Sequence, residues 1–431
     1  MRRFIILCCA AVILASCSKV TSSKVKSIIS FTPPLEVEAD ATPVVLPHSK
    51  KASEWHEGVS WVNSQPENFE TKEISSKFDS HNIVKGGSLI AAPAQAEGKI
   101  FAVSSGGVVS AYDLQKRKIV WYTNLDRKSG LVHYKGGVVY DSGRIYVTSA
   151  SRDLVALDTK SGVIIWRHKM PDVVKCQPLV HKSSVFVTTV GNDLYAVDKE
   201  NGTLLWQNDG ANETLSASRD IVPVIYKDKI ITCYSSGDLV AADLKTGETV
   251  WDLNVATLGG NLMPGFIPVS LESQPIIDSS SIYVATGNGI LMKVNADSGA
   301  VEWQKKIYDI HSMNKSGNSL FVTTNAMQVA AINSKTGKVV WATNLFSKEE
   351  LSEKKNKNPV TLLTPVVLNS DLYVLSDDRK LYKLSPQDGK ILSVIEVTKK
   401  ASYFMIADSL RIFTERNILV FEEKTNGSKN R

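Results

Sequence analysis

The chain is poor in the residues that build cross-linked or reactive sites. Of its five cysteines three, Cys8, Cys9 and Cys17, lie at the amino terminus, which leaves only Cys176 and Cys233 for the rest of 431 residues. Both end apolar strand-like runs, Val173-Val174-Lys175-Cys176 and Ile230-Ile231-Thr232-Cys233, so they read as two buried thiols in preference to a disulfide framework. The seven histidines, at 48, 56, 81, 133, 168, 181 and 311, form no His-x-x-His pair, and neither Cys-x-x-Cys, Gly-x-Ser-x-Gly nor a phosphate-binding loop occurs. Those absences argue against zinc sites, nucleophile-elbow hydrolases and nucleotide enzymes. Charge is also nearly balanced, 50 basic against 44 acidic side chains for a net +6, and only the loop near 354–357 is densely basic. A nucleic-acid binder relying on counterion release needs more. No apolar run reaches the roughly 20 residues of a spanning helix. What is present is 43% hydrophobic and 22% charged residues, enough for a large core, in a chain two to three times the usual domain length.

Arg2 and Arg3 precede twelve uncharged residues, Phe4 to Ala15, the layout of an export signal. Leu14-Ala15-Ser16-Cys17 resembles the lipobox of bacterial lipoproteins, which implies removal of residues 1–16 and acylation of Cys17. Ser18 after that cysteine, where an inner-membrane lipoprotein has Asp, implies the periplasmic face of the outer membrane. Residues 17–60, with Pro33, Pro34, Pro43 and Pro47, read as a lipidated tether reaching on the order of 35 Å. A repetitive domain over 61–425 and a short tail over 426–431 complete the expected organisation.

One unit recurs through that domain. Leu154 to Trp166 is echoed by 109–121, 194–206, 239–251, 291–303, 329–341 and, without its tryptophan, 381–393. Trp121, Trp166, Trp206, Trp251, Trp303 and Trp341 each follow an Asp or Asn by eight residues. Each unit is preceded by a short β-branched or aromatic run such as Ile145-Tyr146-Val147, and helical patterning is nearly absent. The Asp or Asn closes one strand, Ser/Thr/Asn-Gly supplies the positive φ of a hairpin turn, and the tryptophan lies on the next strand. Tryptophan spacings of 45, 40, 45, 52 and 38 residues suit a four-stranded blade. Strand pairs centred on Phe101, Ile145, Phe186, Ile231, Tyr283, Phe321, Tyr373 and Ile412 predict an all-β, eight-bladed β-propeller. The stretch from Trp61 to Phe78 is expected to return as the outer strand of the last blade, removing an exposed edge.

The form Ala241-Ala242-Asp243-Leu244-Lys245-Thr246-Gly247-Glu248-Thr249-Val250-Trp251 resembles the quinoprotein-type propeller repeat, over most of 88–423. The resemblance implies the fold and leaves two functional branches. One is the periplasmic dehydrogenases that hold pyrroloquinoline quinone with calcium. Many of these carry a vicinal cysteine pair; here the only such pair, Cys8-Cys9, falls in the signal segment. Asp113, Asp158, Asp198 and Asp243 lie beside turns, where satisfying turn amides accounts for them. The other branch is the BamB family, non-catalytic lipoproteins of outer-membrane β-barrel assembly, which the lipobox with Ser18, the mature length and the bare propeller resemble more.

That resemblance implies no cofactor, and a surface that grips the periplasmic POTRA domains of BamA, with nascent barrel chains as further partners. Leu215 and Arg219 correspond to the family's Leu-Ser-x-x-Arg-like segment ahead of Pro223, though Arg219 stands one residue out of place. Ser270 and Glu272 correspond to its acidic pair ahead of Pro275, with Ser270 lacking the charge. The insertion 258–268 adds Leu258, Met263 and Phe266, an apolar loop suited either to a partner or to its own blade. The Lys- and Glu-rich insertion 347–359 reads as a solvated loop.

Overall fold

Each repeat folds as the hairpin between the third and fourth strands of a sheet. The computed structural model describes residues 35–421 except 40, 52–67, 73, 75, 76, 126–135, 150, 151, 211–220, 235, 256, 257, 259–270, 272, 347–359, 398, 399, 407 and 408. The signal segment, Cys17, Trp61 and the tail from 426 thus lie outside the described residues, as does the 347–359 loop. In the first sheet Ala94–Ala96, Lys99–Val103, Val108–Asp113 and Lys118–Asn124 pair antiparallel in chain order. The second to sixth sheets repeat this over 137–169, 179–208, 224–254, 276–306 and 310–344. A seventh four-stranded sheet, the terminal sheet, combines Ala401–Ile406, Leu410–Thr414 and Asn417–Phe421 with Phe78–Asn82. First strands of neighbouring sheets touch, 94–96 with 137–141 and 224–226 with 276–278 among them, so first strands converge on an axis and fourth strands form the rim. The fold is a β-propeller of four-stranded blades.

The expectation of eight equal four-stranded blades is corrected. Seven sheets are four-stranded, and the remaining sheet has six strands. Its antiparallel set, Val366–Leu368, Asp371–Ser376, Lys380–Leu384 and Ile391–Glu396, gains Asn68–Glu70 and Lys50–Lys51 as parallel strands on its axial edge. An edge strand offers unpaired backbone groups, and the N-terminal segment satisfies them here. The N-terminal strand that joins the last blade also differs. It is Phe78–Asn82, just beyond most of the expected stretch 61–78, and it pairs with Asn417–Phe421. Side chains select this register: Phe78 meets Phe421 edge to face at 5.8 Å, while Asn68 is drawn to the Asn369-Ser370 turn, accepting from Ser370 N at 2.9 Å.

The tryptophans hold neighbouring sheets together. Within its own sheet each faces a small or slender residue across the ladder, as in Ala156↔Trp166 and Ala196↔Trp206, and a bulge follows at that point. An aromatic residue of the second strand packs beside five of them, Phe186 at 5.7 Å from Trp206 for example, while Trp251 has Ile231 at that place. The indole then crosses to the next sheet. Trp121, Trp166, Trp206, Trp251, Trp303 and Trp341 donate to the carbonyls of Thr159, Lys199, Leu244, Ala296, Ser334 and Pro386. Each of these carbonyls belongs to the third-to-fourth turn of the following sheet, whose glycine lies under the ring. At Gly162 a Cβ would stand 2.5 Å from the Trp121 ring, and φ is 71°, so this position needs glycine twice over.

Residues 35–51, counted into the tether by the sequence reading, pack on the propeller. Glu38 pairs with Lys305 on the rim of the fifth sheet and its N–H donates to Val339 O of the sixth. Asn318 accepts from Val45 N at 2.8 Å and donates to Pro43 O at 2.9 Å. Val44 is buried in the core shared with Phe321 and Leu372. This strap crosses from the rim to the axial edge of the six-stranded sheet over the end that carries the first-to-second and third-to-fourth turns.

Candidate partner-binding face

In a sheet of four consecutive antiparallel strands, two turns lie at one end and the second-to-third turn and the outgoing connection at the other. Leu215 and Arg219 belong to the connection from the third to the fourth sheet, and Leu258, Met263, Phe266, Ser270 and Glu272 to that from the fourth to the fifth. The topology therefore roots both connections at the same end, on either side of residues 224–254, opposite the strap. Of these seven residues only Leu258 is among the described ones. It is half-buried against the core of the third to fifth sheets.

The described residues that bracket the two connections are tightly held. The carboxamide of Gln274 accepts from Val222 N at 3.1 Å and donates back to Val222 O, joining the end of one connection to the end of the other. Gly210 N donates to Asn192 O at 3.2 Å, and a Cβ on Gly210 would stand 2.3 Å from that oxygen. Tyr234 OH donates to Asn208 Oδ1 at 2.7 Å. The sequence reading missed Gln274, although its place directly before Pro275, like Gln177 before Pro178, offered a signal.

The same end is acidic beside 211–220. Asp193, on the second-to-third turn of the third sheet, accepts from Tyr195 OH at 3.3 Å and from Thr189. Burial, then the charges of Asp209 and Asp172, hold the Asp193 carboxyl above the ordinary carboxylate range, against those hydrogen bonds. Burial first, with Asp193 next, pushes Tyr195 up to about 12. Arg152, 3.9 Å from Asp172, offsets part of the charge. The rim of this end is suited to a cationic side chain.

The repeat aspartates are engaged in their own turns. Asp158 Oδ1 accepts from the N–H groups of Lys160 and Ser161, and Asp113, Asp198 and Asp243 accept likewise two and three residues on. Asn295 and Asn333 make the same bonds without charge. These turns join the two outer strands of each sheet, away from the axis. Among the described residues no group of three His, Cys, Asp or Glu side chains is arranged to hold a metal ion. Cys176 and Cys233 are buried thiols outside any disulfide, and burial pushes the Cys233 thiol up to about 12.

The family model described as outer membrane protein assembly factor BamB matches residues 105–343 and 316–426. The chain belongs to the BamB family. An uncharacterised protein of Rickettsia conorii is 30% identical over 422 residues, 96% of this chain and 97% of its own. BamB of Escherichia coli is 24% identical over 306 residues, 70% of this chain and 75% of that protein. Among solved structures, BamB from Moraxella catarrhalis matches with a TM-score of 0.67 at 19% identity, over 82% of this chain and 100% of that one. A quinohemoprotein alcohol dehydrogenase from Comamonas testosteroni matches at 0.64 and 13% identity, over 85% of this chain and 77% of its own. At such identities both structural likenesses speak to the fold alone.

Proposed function

We propose that this protein is a non-catalytic scaffold lipoprotein of the outer-membrane β-barrel assembly complex, anchored through acylated Cys17 at the periplasmic face of the outer membrane. The observation that carries the reading is family membership across the repeats, in a chain whose repeat aspartates are spent on turn amides. In this reading the six-stranded sheet serves as an eighth blade and Phe78–Asn82 closes the ring. The partner is the POTRA region of BamA, docked on the end that bears the 211–220 and 259–272 connections. Arg219 and Glu272 orient the partner by charge, Leu215, Met263 and Phe266 contribute burial, and Ser270 lies beside them. Gln274 acts as a positioning residue by tying the two connections together.

The test is co-purification from detergent-solubilised membranes. Arg219→Glu is expected to abolish recovery of BamA while leaving the thermal unfolding of the propeller unchanged. Unchanged recovery rejects the docking assignment, and wild-type protein recovered without any assembly partner rejects the function.

A further inference from the structure

The seam between the terminal sheet and the first sheet is built unlike those that carry a tryptophan clasp. The rim strand Phe78–Asn82 has no tryptophan to send across, and Arg117, with φ 53°, stands where the other turns place glycine. In place of an indole clasp, Arg117 pairs with Asp79 at 3.2 Å. Beside that seam lies an open groove of about 790 Å³, walled by Asn82, Val84 and Lys85 on one side and by residues 118–122 on the other. Its second wall is the edge of Lys118–Asn124, at seven residues the longest rim strand among the described residues, and that edge pairs with no other strand there.

The groove has a definite chemistry. Val120 and Tyr122 are 36% and 62% exposed, alternating with the inward Ile119 and Trp121. Lys85 and Lys118 are exposed, and neither ammonium has a carboxylate partner among the described residues, since Asp113 is paired with Lys116 and Asp79 with Arg117. Lys85 is held at the wall by its own N–H, which donates to Ser110 Oγ at 3.2 Å. An unpaired strand edge is a template for a further strand, and its side-chain alternation selects what is added.

We propose that this groove takes an extended acidic segment of another polypeptide, added as a strand to Lys118–Asn124. Lys118, Val120 and Tyr122 share one face of their strand, so the segment presents to them, at every second position, a carboxylate beside Lys118 and Lys85 followed by apolar side chains over Val120 and Tyr122. The site lies at the seam of the terminal and first sheets, away from the connections between the third, fourth and fifth sheets that carry the proposed BamA docking, and it stands whether or not that docking is correct.

The probe is a capped seven-residue peptide matched in length to the strand, with glutamate, valine and tyrosine at every second position so that they share one face, and threonine between them. It is titrated into the whole protein while amide hydrogen exchange is followed. Saturable binding with slowed exchange across 118–124 is expected, weakened about tenfold in Lys85→Glu/Lys118→Glu. Lys245→Glu, on a turn of the fourth sheet, leaves binding unchanged, and matching melting curves show that the variants fold. Equal binding of a peptide with lysine in place of glutamate overturns the proposal. So does binding without protection across 118–124, and so does heparin binding at the same lysines in place of the peptide, which assigns the patch to polyanions.

Discussion

The indole N–H of Trp121 donates to the carbonyl of Thr159, 2.9 Å away in the sheet that follows its own. A tryptophan and the next unit's turn thus form one joint, and the repeat is a repeat of joints between sheets. The two departures from the pattern follow from this. Ser393 replaces the tryptophan where the following sheet, the terminal one, takes its fourth strand from the other end of the chain and so has no third-to-fourth turn to receive an indole. Arg117 replaces the glycine where the preceding rim strand, Phe78–Asn82, sends none.

Trp166→Ala is expected to cost about 3–5 kcal/mol, since it empties a buried site and removes the indole donor to the carbonyl of Lys199. Ser393→Ala, at the equivalent position with no joint, is expected to change stability by less than about 0.5 kcal/mol. Denaturant unfolding of the two variants compares them directly. Equal losses refute the joint.

Gly202→Ala places a Cβ 2.6 Å from the Trp166 ring at φ 76°. A loss above about 1 kcal/mol follows from the backbone alone. Arg117→Gly relieves a positive φ and gives up one exposed ion pair worth at most about 1 kcal/mol, so little net change is expected in the same assay.

Acid sensitivity divides the aspartates by sign. The Ser161 hydroxyl, then its N–H, holds the Asp158 carboxyl below the ordinary carboxylate range. Its contribution is therefore complete above the unfolded-state value and disappears as pH falls through the lower folded value. Asp158→Asn, copying Asn295, is expected to keep neutral stability and flatten that acid loss. Asp193 is raised by burial, so its ionised form destabilises the fold. Asp193→Asn is expected to stabilise the protein at neutral pH, with the gain fading as pH drops below the ordinary carboxylate range. Melting temperature against pH, variant by variant, decides both.

Thiol titration reads the core and the anchor at once. Cys176 and Cys233 are buried, so the native protein is expected to leave a thiol reagent unconsumed at neutral pH. After denaturation, the mature membrane-extracted form exposes these two thiols if Cys17 is acylated. A third thiol removes the lipid anchor from the account.

Much of the propeller was legible because its signals are local. Asp158, Gly162 and Trp166 lie within nine positions, and the hairpin they specify needs no distant information. The partners of Trp121 and Gly162 were not legible, because an indole's destination depends on which sheet packs next. The strap was missed for the same reason. Pro43 and Val45 look like linker until Asn318, some 275 residues away, supplies their hydrogen bonds. The returning strand was placed a few residues early, since only the contact of Phe78 with Phe421 chooses its register. On the candidate face the sequence reading pointed to the two connections but not to Gln274 or the Asp193 group, whose proximity arises from packing of consecutive sheets.

The most direct measurement is site-specific photo-crosslinking in intact cells, with the probe at Arg219 or Glu272 on the connection end and, in parallel, at Lys245 or Lys335 on the turn end. The account predicts adducts with BamA from Arg219 and Glu272 and none from Lys245 or Lys335. BamA adducts confined to the turn-end positions, or adducts from Arg219 and Glu272 that contain no assembly partner, contradict it.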